Sequence, residues 1–387
     1  MYIHLLNLDT IGGVEALYAF FLASDLNCEQ RTCVTGKHPH KKFEKIFGKI
    51  NHKPFLERYI GPFRLPRFFR SFITFRRNMI EHIAHPTCWV YWNRIEESLP
   101  PGKMVYYEHG AAWTDRPTKK RMAFLKHASL FLANSEAAAI MLQKKWSIPS
   151  PIHIIPNPLR PDISIREAPK QLNTPTRLGF LGRLLPIKGV GVALHTLNEL
   201  RKNGIDATLS IGGTGSEEAF GRMLAKKLNI NESVIWHGLV GDITSFFDSI
   251  DLLLVPSLRE PLGLVALEAS ARGVPVIAAH VDGLPEVVQN GITGMCIDPT
   301  LDLAERKDFF GSSKGFPDFV VNPLSKNLIH PKLVDPKLYA HAITSIITDE
   351  KIYVDLSRNS LEFAKTKSSF SSYVSAIHEH LNTLSRI

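Results

Sequence analysis

Residues 255–269 read VPSLREPLGLVALEA, a stretch that leaves an apolar strand, turns through proline and glycine, and enters a helix rich in alanine and leucine. The free N–H groups and the positive dipole end at the start of such a helix suit a diphosphate. One carboxylate, Glu260, lies in the turn, and a second, Glu268, lies within the helix. The pair could hold hydroxyl groups on both sides of a pyrophosphate. The spacing alone fits a second interpretation better, because a Glu at a helix start favours the dipole and another Glu can simply face water.

Short apolar runs alternate with helical patterns on both sides of this stretch, which is typical of parallel sheets covered by helices. The first half opens with a strand over residues 2–8, a glycine turn and a helix over 14–23, and the second half alternates from residue 178 to 255. At 387 residues the chain exceeds the usual size of a single hydrophobic core. We therefore predict an α/β fold of two Rossmann-like, doubly wound domains facing across a cleft, where open α/β sheets bind ligands.

Composition shifts along the chain suggest where these domains begin and end. We predict a first domain over residues 1–160, a polar, proline-bearing linker over 161–175, and a second domain over 176–365. The last helical pattern, within 366–387, is long enough to pack back on the first domain. Charged, Gly-rich and Pro-rich residues interrupt the alternation over 300–336, which we interpret as an insertion or long loop without an assigned role.

The positive charge of the chain is concentrated in one region. Residues 37–77 hold 12 Lys or Arg and two acidic residues, against a net charge of +9 for the whole chain. Arg alternates with Phe over 61–77, a pattern that suits an anionic membrane surface. Nucleic acid is a competing polyanion that we do not favour, and a helix whose Phe side chains pack into the first domain while its Arg side chains stay in water explains the pattern nearly as well.

Cysteine usage and hydropathy indicate the compartment. The four cysteines have no paired spacing, so we expect them to be reduced. Neither an export leader nor an apolar run of bilayer-spanning length is evident in the sequence. We expect a cytoplasmic protein, with peripheral association at the inner face of the membrane through residues 37–77.

The stretch 257–277 resembles the retaining GT-B glycosyltransferases of family four, the glycosyl transferases group 1, whose signature is two Glu separated by seven residues. The resemblance implies that Glu268 binds the ribose hydroxyls of a nucleotide-sugar donor and that Glu260 contacts the donor sugar near the reacting centre. It also implies the GT-B arrangement of the two domains. Between the two Glu, it assigns a donor loop to Pro261, Leu262 and Gly263.

Two cations lie in the loop that joins the strand at 178–181 to the next helix. Arg183 and Lys188 could neutralise a diphosphate leaving group, although two solvated cations on an ordinary loop would be the simpler interpretation of the residues alone. The resemblance assigns both to the diphosphate, which would remove the need for a divalent metal, and the sequence contains no Asp-x-Asp motif. A second glycine loop, with Gly212, Gly213 and Gly215, either approaches the donor or forms a tight turn.

The first domain supplies two further candidate residues. The resemblance places Gly13, in the first strand-to-helix loop, under the donor phosphates. His109 follows a strand over 104–107, and many relatives have a His near here that contacts the transferred sugar. We therefore predict a substrate-binding or catalytic role for His109, against the alternative of a hydrogen-bonded structural residue.

The predicted function is that of a retaining, metal-independent hexosyltransferase without a cofactor. The donor would be a nucleotide-diphosphate sugar, with a UDP-sugar favoured, and the acceptor a hydroxyl of a cell-surface glycan such as lipopolysaccharide core or a lipid-linked saccharide. Two alternatives stay open: a GT-B-shaped sugar-nucleotide epimerase, and a non-catalytic module that binds membranes or other polyanions.

Overall fold

The computed structural model describes residues 2–8, 12–24, 30–34, 40–41, 55–56, 59–60, 63–64, 70–149, 151–367 and 369–385. The chain divides into two compact units. The first consists of residues 1–157 together with 370–387, and the second of residues 158–369.

Seven parallel strands form the sheet of the first unit, in the order β3-β2-β1-β6-β7-β8-β9. Its central strands are fully buried and mostly apolar, as expected when helices cover both faces of a sheet. The strands of this unit are β1 (Tyr2–Leu6), β2 (Gln30–Val34), β3 (Phe55–Leu56), β4 (Tyr59–Ile60), β5 (Phe63–Arg64), β6 (Cys88–Trp92), β7 (Met104–Glu108), β8 (Leu130–Ala133) and β9 (His153–Ile154). Of these, β4 and β5 form a separate antiparallel pair. The helices between them are α1 (Gly13–Ser24), α2 (Arg70–Ala84), α3 (Ala111–Thr114), α4 (Lys119–Lys126) and α5 (Glu136–Trp146).

The second unit repeats this construction with six parallel strands in the order β12-β11-β10-β13-β14-β15. These are β10 (Thr176–Leu181), β11 (Ala207–Gly212), β12 (Val234–Gly238), β13 (Leu252–Val255), β14 (Val276–Ala279) and β15 (Gly294–Ile297). The helices are α6 (Val190–Lys202), α7 (Glu218–Lys227), α8 (Ile243–Asp248), α9 (Leu264–Ala271), α10 (Pro336–Ile347) and α11 (Glu350–Thr366). The predicted α/β class, with two doubly wound sheets, is confirmed.

The last helix, α12 (Phe370–Ser385), belongs to the first unit. Tyr373, Ile377 and Leu381 recur at four-residue spacing, so they share one face of the helix, and all three are buried in the core cluster that also contains Tyr2 and Leu17. The Tyr2 hydroxyl donates a hydrogen bond to Asn382 Oδ1 at 2.7 Å. None of the described helices, this one included, is long and apolar enough to cross a membrane.

The segment predicted to be a linker, 161–175, is packed within the second unit. Ile163 lies in an apolar cluster with Leu267 and Ala271. Lys170 Nζ donates to the carbonyl oxygens of Phe247 at 3.1 Å and Asp248 at 2.8 Å, at the end of α8. Lys170 thus places a cation at the carbonyl end of a helix, where it is favourable.

Residues 300–336, the predicted insertion, form an ordered part of the second unit that we call the inserted segment. It contains two antiparallel pairs, β16 (Leu301–Asp302) with β19 (Lys332–Leu333), and β17 (Val320–Val321) with β18 (Leu328–Ile329). Phe309 of this segment packs with Val192 and Leu258. The segment therefore enters the chain between β15 and α10 without interrupting the parallel sheet.

Candidate functional site

The turn between β13 and α9 brings together two residues that lie 72 positions apart in the sequence. The Glu260 carboxylate is buried, pairs with Lys188 Nζ at 2.5 Å, and accepts a hydrogen bond from Ser257 Oγ at 3.3 Å. The helix that follows begins after Gly263, which adopts a left-handed conformation with φ of 99°. The second unit thus presents a lysine–glutamate pair directly before a helix N-terminus.

A close approach of two loops positions Lys188. The backbone N–H of Leu258 donates to the carbonyl oxygen of Ile187 at 2.8 Å. Gly189 has φ of 74°, and a side chain there would overlap the carbonyl oxygen of Pro256. Only glycine adopts this positive φ readily and also leaves room for the Pro256 carbonyl oxygen. Gly189 therefore allows the lysine loop to pack against the turn that carries Glu260.

Glu268, on α9, is a buried carboxyl with a cationic partner. Arg160 Nη1 lies 3.5 Å from Glu268 Oε1, and the same guanidinium holds Asp162 through bonds of 3.0 Å and 2.8 Å. Burial raises the pKa of Glu268 to about 7; Arg160 acts to lower it and Asp162 to raise it. Arg160 was not among the predicted site residues. Its one signal in the sequence is its place between Pro158 and Pro161, a pattern that indicated a domain connection.

The second glycine loop packs on the loop that carries Arg183. Leu184 N–H donates to Thr214 O at 2.9 Å, and a side chain at Gly213 or Gly215 would overlap the carbonyl oxygens of Gly182 or Leu184. These glycines are therefore required for contact between two loops, with Gly212 ending β11 beside them. Arg183 itself is exposed, unlike the paired Lys188.

Pro261 and Leu262 of the predicted donor loop are buried against a neighbouring turn. Gly283 N–H donates to Glu260 O at 3.1 Å, and a side chain at Gly283 would overlap Pro261 O. The other predicted donor-site residues of the second unit thus lie in loops at the carboxyl ends of β10, β11 and β13, with Gly212 ending β11 and Glu268 on α9.

The first unit has a separate pocket of about 160 Å³ at the carboxyl ends of β1 and β6. Gly13, the predicted phosphate-loop glycine, begins α1 next to this pocket. Polar side chains that were not among the predicted site residues contribute to the lining, and of these Asn7 and Asn93 directly follow β1 and β6. The lining residues are Leu6, Asn7, Val14, Glu15, Trp92, Asn93 and Arg94.

His109 lies just beyond β7 and is buried. Its ring stacks on Trp92, with centroids 5.6 Å apart and planes inclined by 11°, and lies 4.1 Å from the Tyr107 ring. Neither ring nitrogen has a hydrogen-bond partner among the described residues, and burial lowers the pKa of His109 to about 3, so the ring is neutral. Because buried polar atoms normally have partners, this geometry argues against the hydrogen-bonded structural alternative, and the substrate role stays a prediction.

The basic region 37–77 lies largely outside the described residues. Arg77, at its end, is buried in α2 and pairs with Glu96 through bonds of 2.7 Å and 3.1 Å. Burial raises the pKa of Glu96, but the ion pairs with Arg77 and Arg94 outweigh this effect and lower it to about 2. Arg77 is therefore part of the first unit's interior rather than a free surface cation.

Among the residues that the structure describes, no three His, Cys, Asp or Glu side chains come together as metal ligands.

Comparisons with known proteins place the chain in a family. The sequence model of the glycosyl transferases group 1 matches residues 163–308, and that of Glycosyltransferase Family 4 matches residues 28–163. An uncharacterized glycosyltransferase of Methanocaldococcus jannaschii is 31% identical over 153 residues, which are 38% of this chain and 39% of that protein. The D-inositol 3-phosphate glycosyltransferase of Corynebacterium efficiens is 34% identical over 130 residues, 31% of this chain and 30% of that protein. The matched part of the chain thus spans well under half the length of these relatives.

Solved structures share the architecture over nearly the whole chain. HepE of Anabaena in complex with UDP-glucose has a TM-score of 0.73 at 16% identity, covering 99% of both chains. WaaG, described as a glycosyltransferase involved in lipopolysaccharide biosynthesis, has a TM-score of 0.67 at 17% identity, covering 97% of this chain and 98% of that one. The fold is therefore GT-B, as predicted. The chain belongs to the GT-B glycosyltransferases of family four.

Proposed function

We propose that this protein transfers a sugar from a nucleotide-diphosphate sugar, with a UDP-sugar favoured, to a hydroxyl group of a glycan acceptor. The observation that carries the proposal is the Lys188–Glu260 pair immediately before the N-terminus of α9. A cation, a carboxylate and free helix N–H groups together match a diphosphate joined to a polyhydroxylated sugar.

Lys188 would neutralise the charge that develops on the departing diphosphate. In transfer, the bond between the anomeric carbon and a phosphate oxygen breaks, and a bond from that carbon to the acceptor oxygen forms. The acceptor proton goes to the departing phosphate oxygen, and we propose that the new bond forms on the same face of the sugar, with retention. A positioned cation stabilises such a transition state more than the ground state, so Lys188 and the exposed Arg183 would serve in place of a metal.

Glu268 and Arg160 would hold the nucleoside. A carboxylate accepts hydrogen bonds from both hydroxyls of a ribose, and Arg160 fixes the orientation of that carboxylate. His109 in the first unit would contact the transferred sugar through a neutral ring nitrogen, since neither nitrogen has a partner among the described residues.

Two structural neighbours support the donor and the acceptor class. HepE is described in complexes with UDP and with UDP-glucose, and WaaG is described as acting in lipopolysaccharide biosynthesis. We therefore propose a UDP-sugar donor and an acceptor such as lipopolysaccharide core or a lipid-linked saccharide. Peripheral association with the inner face of the membrane through residues 37–77 belongs to the same proposal.

The test is a mass-spectrometric screen of the purified protein against UDP, GDP, ADP and CMP sugars, with and without a chelator. We expect nucleotide diphosphate release that the chelator does not abolish. Lys188→Ala should lower kcat by about 100-fold, because it removes a charge aimed at the leaving group. Glu268→Ala should mainly raise KM for the donor.

The matched control is Lys202→Ala, since Lys202 pairs with Glu199 at 2.9 Å on an exposed helix surface. Unchanged turnover in Lys188→Ala and Glu268→Ala would show that the site is misassigned. An isomerised sugar nucleotide would instead identify an epimerase. Loss of turnover in the chelator would contradict metal independence.

A further inference from the structure

We propose that Asp282 is a positioning residue for Glu260, and that the inserted segment, residues 300–336, holds Asp282 in place. This inference rests on the role of Glu260 in the proposed function. The inserted segment would thereby have a structural role at the candidate donor site.

The Asp282 carboxylate connects two backbone segments. Oδ2 accepts a hydrogen bond from the Glu260 N–H at 3.0 Å, and Oδ1 accepts one from the Val321 N–H at 2.7 Å. The side chain is buried, with an exposed fraction of 2%. A buried carboxylate that accepts from two backbone N–H groups forms strong, charge-assisted bonds, so it holds both segments at a defined distance.

The backbone of Glu260 is held from both sides. Asp282 binds its N–H, and the next residue, Gly283, donates its own N–H to the Glu260 carbonyl oxygen at 3.1 Å. The Glu260 side chain is thereby aimed at Lys188, 2.5 Å away. A small displacement of this turn would move the carboxylate away from the cation, and misplacement of a reacting group is costly in rate.

The inserted segment fixes Asp282 by a reciprocal pair of bonds. Asp282 N–H donates to Val321 O at 3.0 Å while Val321 N–H binds the Asp282 carboxylate. Asp282 has φ of 48°, a left-handed conformation that non-glycine residues adopt at a cost, and the contact with β17 maintains it.

The inserted segment contacts the neighbouring loops of the candidate donor site in the same way. The buried Glu217 carboxylate, which follows the second glycine loop, accepts from Gly311 N–H at 2.7 Å. A side chain at Gly191, next to the lysine loop, would overlap the carbonyl oxygen of Phe309. The segment therefore contacts the turn at Asp282, the residue after the second glycine loop and the first turn of α6, and Asp282 is its connection to the residue nearest the proposed chemistry.

The test uses Asp282→Gly and Asp282→Asn in the full chain. Both residues tolerate a positive φ, so neither change imposes backbone strain. Glycine removes both acceptors, whereas asparagine keeps a single acceptor oxygen for two N–H donors. The matched control is Asp302→Asn, because the Asp302 side chain forms an exposed ion pair with Lys332 at 3.1 Å within the same segment.

Hydrogen exchange gives a readout that needs no donor. In Asp282→Gly we expect the amides of Glu260 and Val321 to exchange about tenfold faster together, with a smaller effect in Asp282→Asn and none in Asp302→Asn. If the Glu260 amide stays as protected in Asp282→Gly as in the unchanged protein, or if Asp302→Asn has the same effect, the proposal is wrong.

UDP and UDP-glucose are the probes for the functional part. We expect Asp282→Gly to bind UDP within about twofold of the unchanged protein but to lose about tenfold or more in kcat with UDP-glucose, because only the sugar-contacting group is displaced. A loss of UDP affinity as large as the loss in kcat would contradict a role specific to Glu260. If the unchanged protein binds neither probe, the proposed donor is wrong, and the exchange experiment still decides the role of Asp282.

Discussion

Glu268 carries a carboxyl group whose pKa burial raises to about 7. The unfolded chain has the ordinary value near 4.5 for this group. Between these two pH values the folded state therefore binds more protons than the unfolded state. Because stability rises with pH only where the unfolded state binds more protons, the contribution of Glu268 falls as pH increases through this window.

Glu268→Gln should remove this pH dependence. Between pH 4 and pH 8, the unchanged protein should lose up to about 3 kcal/mol more unfolding free energy than the variant. This loss is the free-energy equivalent of the pKa shift of Glu268. Urea unfolding at several pH values measures the difference. Glu199→Gln, at an exposed ion pair, is the control. Parallel pH profiles for the unchanged protein and Glu268→Gln would contradict a raised pKa.

His109 offers a prediction in which stability and activity change in opposite directions. His109→Phe keeps the stacking on Trp92 but removes two buried nitrogens that have no partner among the described residues. We expect a gain of about 1 kcal/mol in unfolding free energy, since unsatisfied polar atoms are costly. Turnover should fall by about 100-fold if the ring contacts substrate.

The matched control for His109→Phe is Tyr107→Phe. The Tyr107 hydroxyl is buried and donates to Ile155 O at 2.8 Å, so its removal should destabilise the protein. Thermal unfolding and turnover are measured on both variants. A less stable His109→Phe would mean that its nitrogens are satisfied, and unchanged turnover would remove the predicted catalytic role.

At the scale of the element, the turn after β14 packs closely against the turn that carries Glu260. Gly283 has an ordinary negative φ of −88°, so glycine is needed here for space rather than for conformation. A side chain would overlap Pro261 O and meet Leu262 Cα at 2.9 Å. Backbone atoms cannot move aside as a flexible side chain can, so the two turns would have to separate.

Gly283→Ala should therefore cost about 1–3 kcal/mol in unfolding free energy, as overpacking does, and lower kcat with the donor. Gly241→Ala is the control, because a side chain there would meet no atom within 4 Å. Thermal unfolding and steady-state kinetics on both variants decide the matter. Wild-type kinetics in Gly283→Ala would show that the spacing of the two turns is unimportant for Glu260.

At the scale of the whole molecule, the chain returns to its first unit after completing the second. Ile377, on α12, is fully buried in the core cluster of the first unit. The apolar clusters around Ile163 and Phe309 belong to the second unit. Because each unit has its own buried apolar residues, we expect thermal unfolding to depart from a single two-state transition.

Ile377→Ala should lower the stability of the first unit by about 2–4 kcal/mol, the usual cost of a cavity at a buried site. Hydrogen exchange near the unfolding temperature should show the loss across β1, β6, β7 and β8 and leave α9 and β13 unchanged. Thr383→Ala, on the exposed side of the same helix, is the control. Equal loss in both units would show that they unfold together.

The strand, turn and helix start around Glu260 and the α/β alternation could be predicted because both are local. An apolar run such as Leu252–Val255, followed by Pro, Gly and an Ala-rich helix, identifies a strand, a turn and a helix start from neighbouring residues alone. Such local patterns could not show that residues 161–175 pack within the second unit, since proline and polar composition are shared by free linkers and by segments whose polar groups find partners in a core. Lys170 has such partners, because its backbone N–H donates to Ser357 Oγ and its Nζ donates to Phe247 O.

The sequence by itself determined the class of fold, the existence of two parallel sheets and the position of Glu260 and Glu268 around a helix start, because hydrophobic period and turn residues act over short distances. Only the tertiary structure decided which groups pair: Lys188 with Glu260, Arg160 with Glu268, and Asp282 with both Glu260 and Val321. These partners come from separate loops gathered at the ends of parallel strands. Their proximity depends on the packing of whole elements, which no local pattern records.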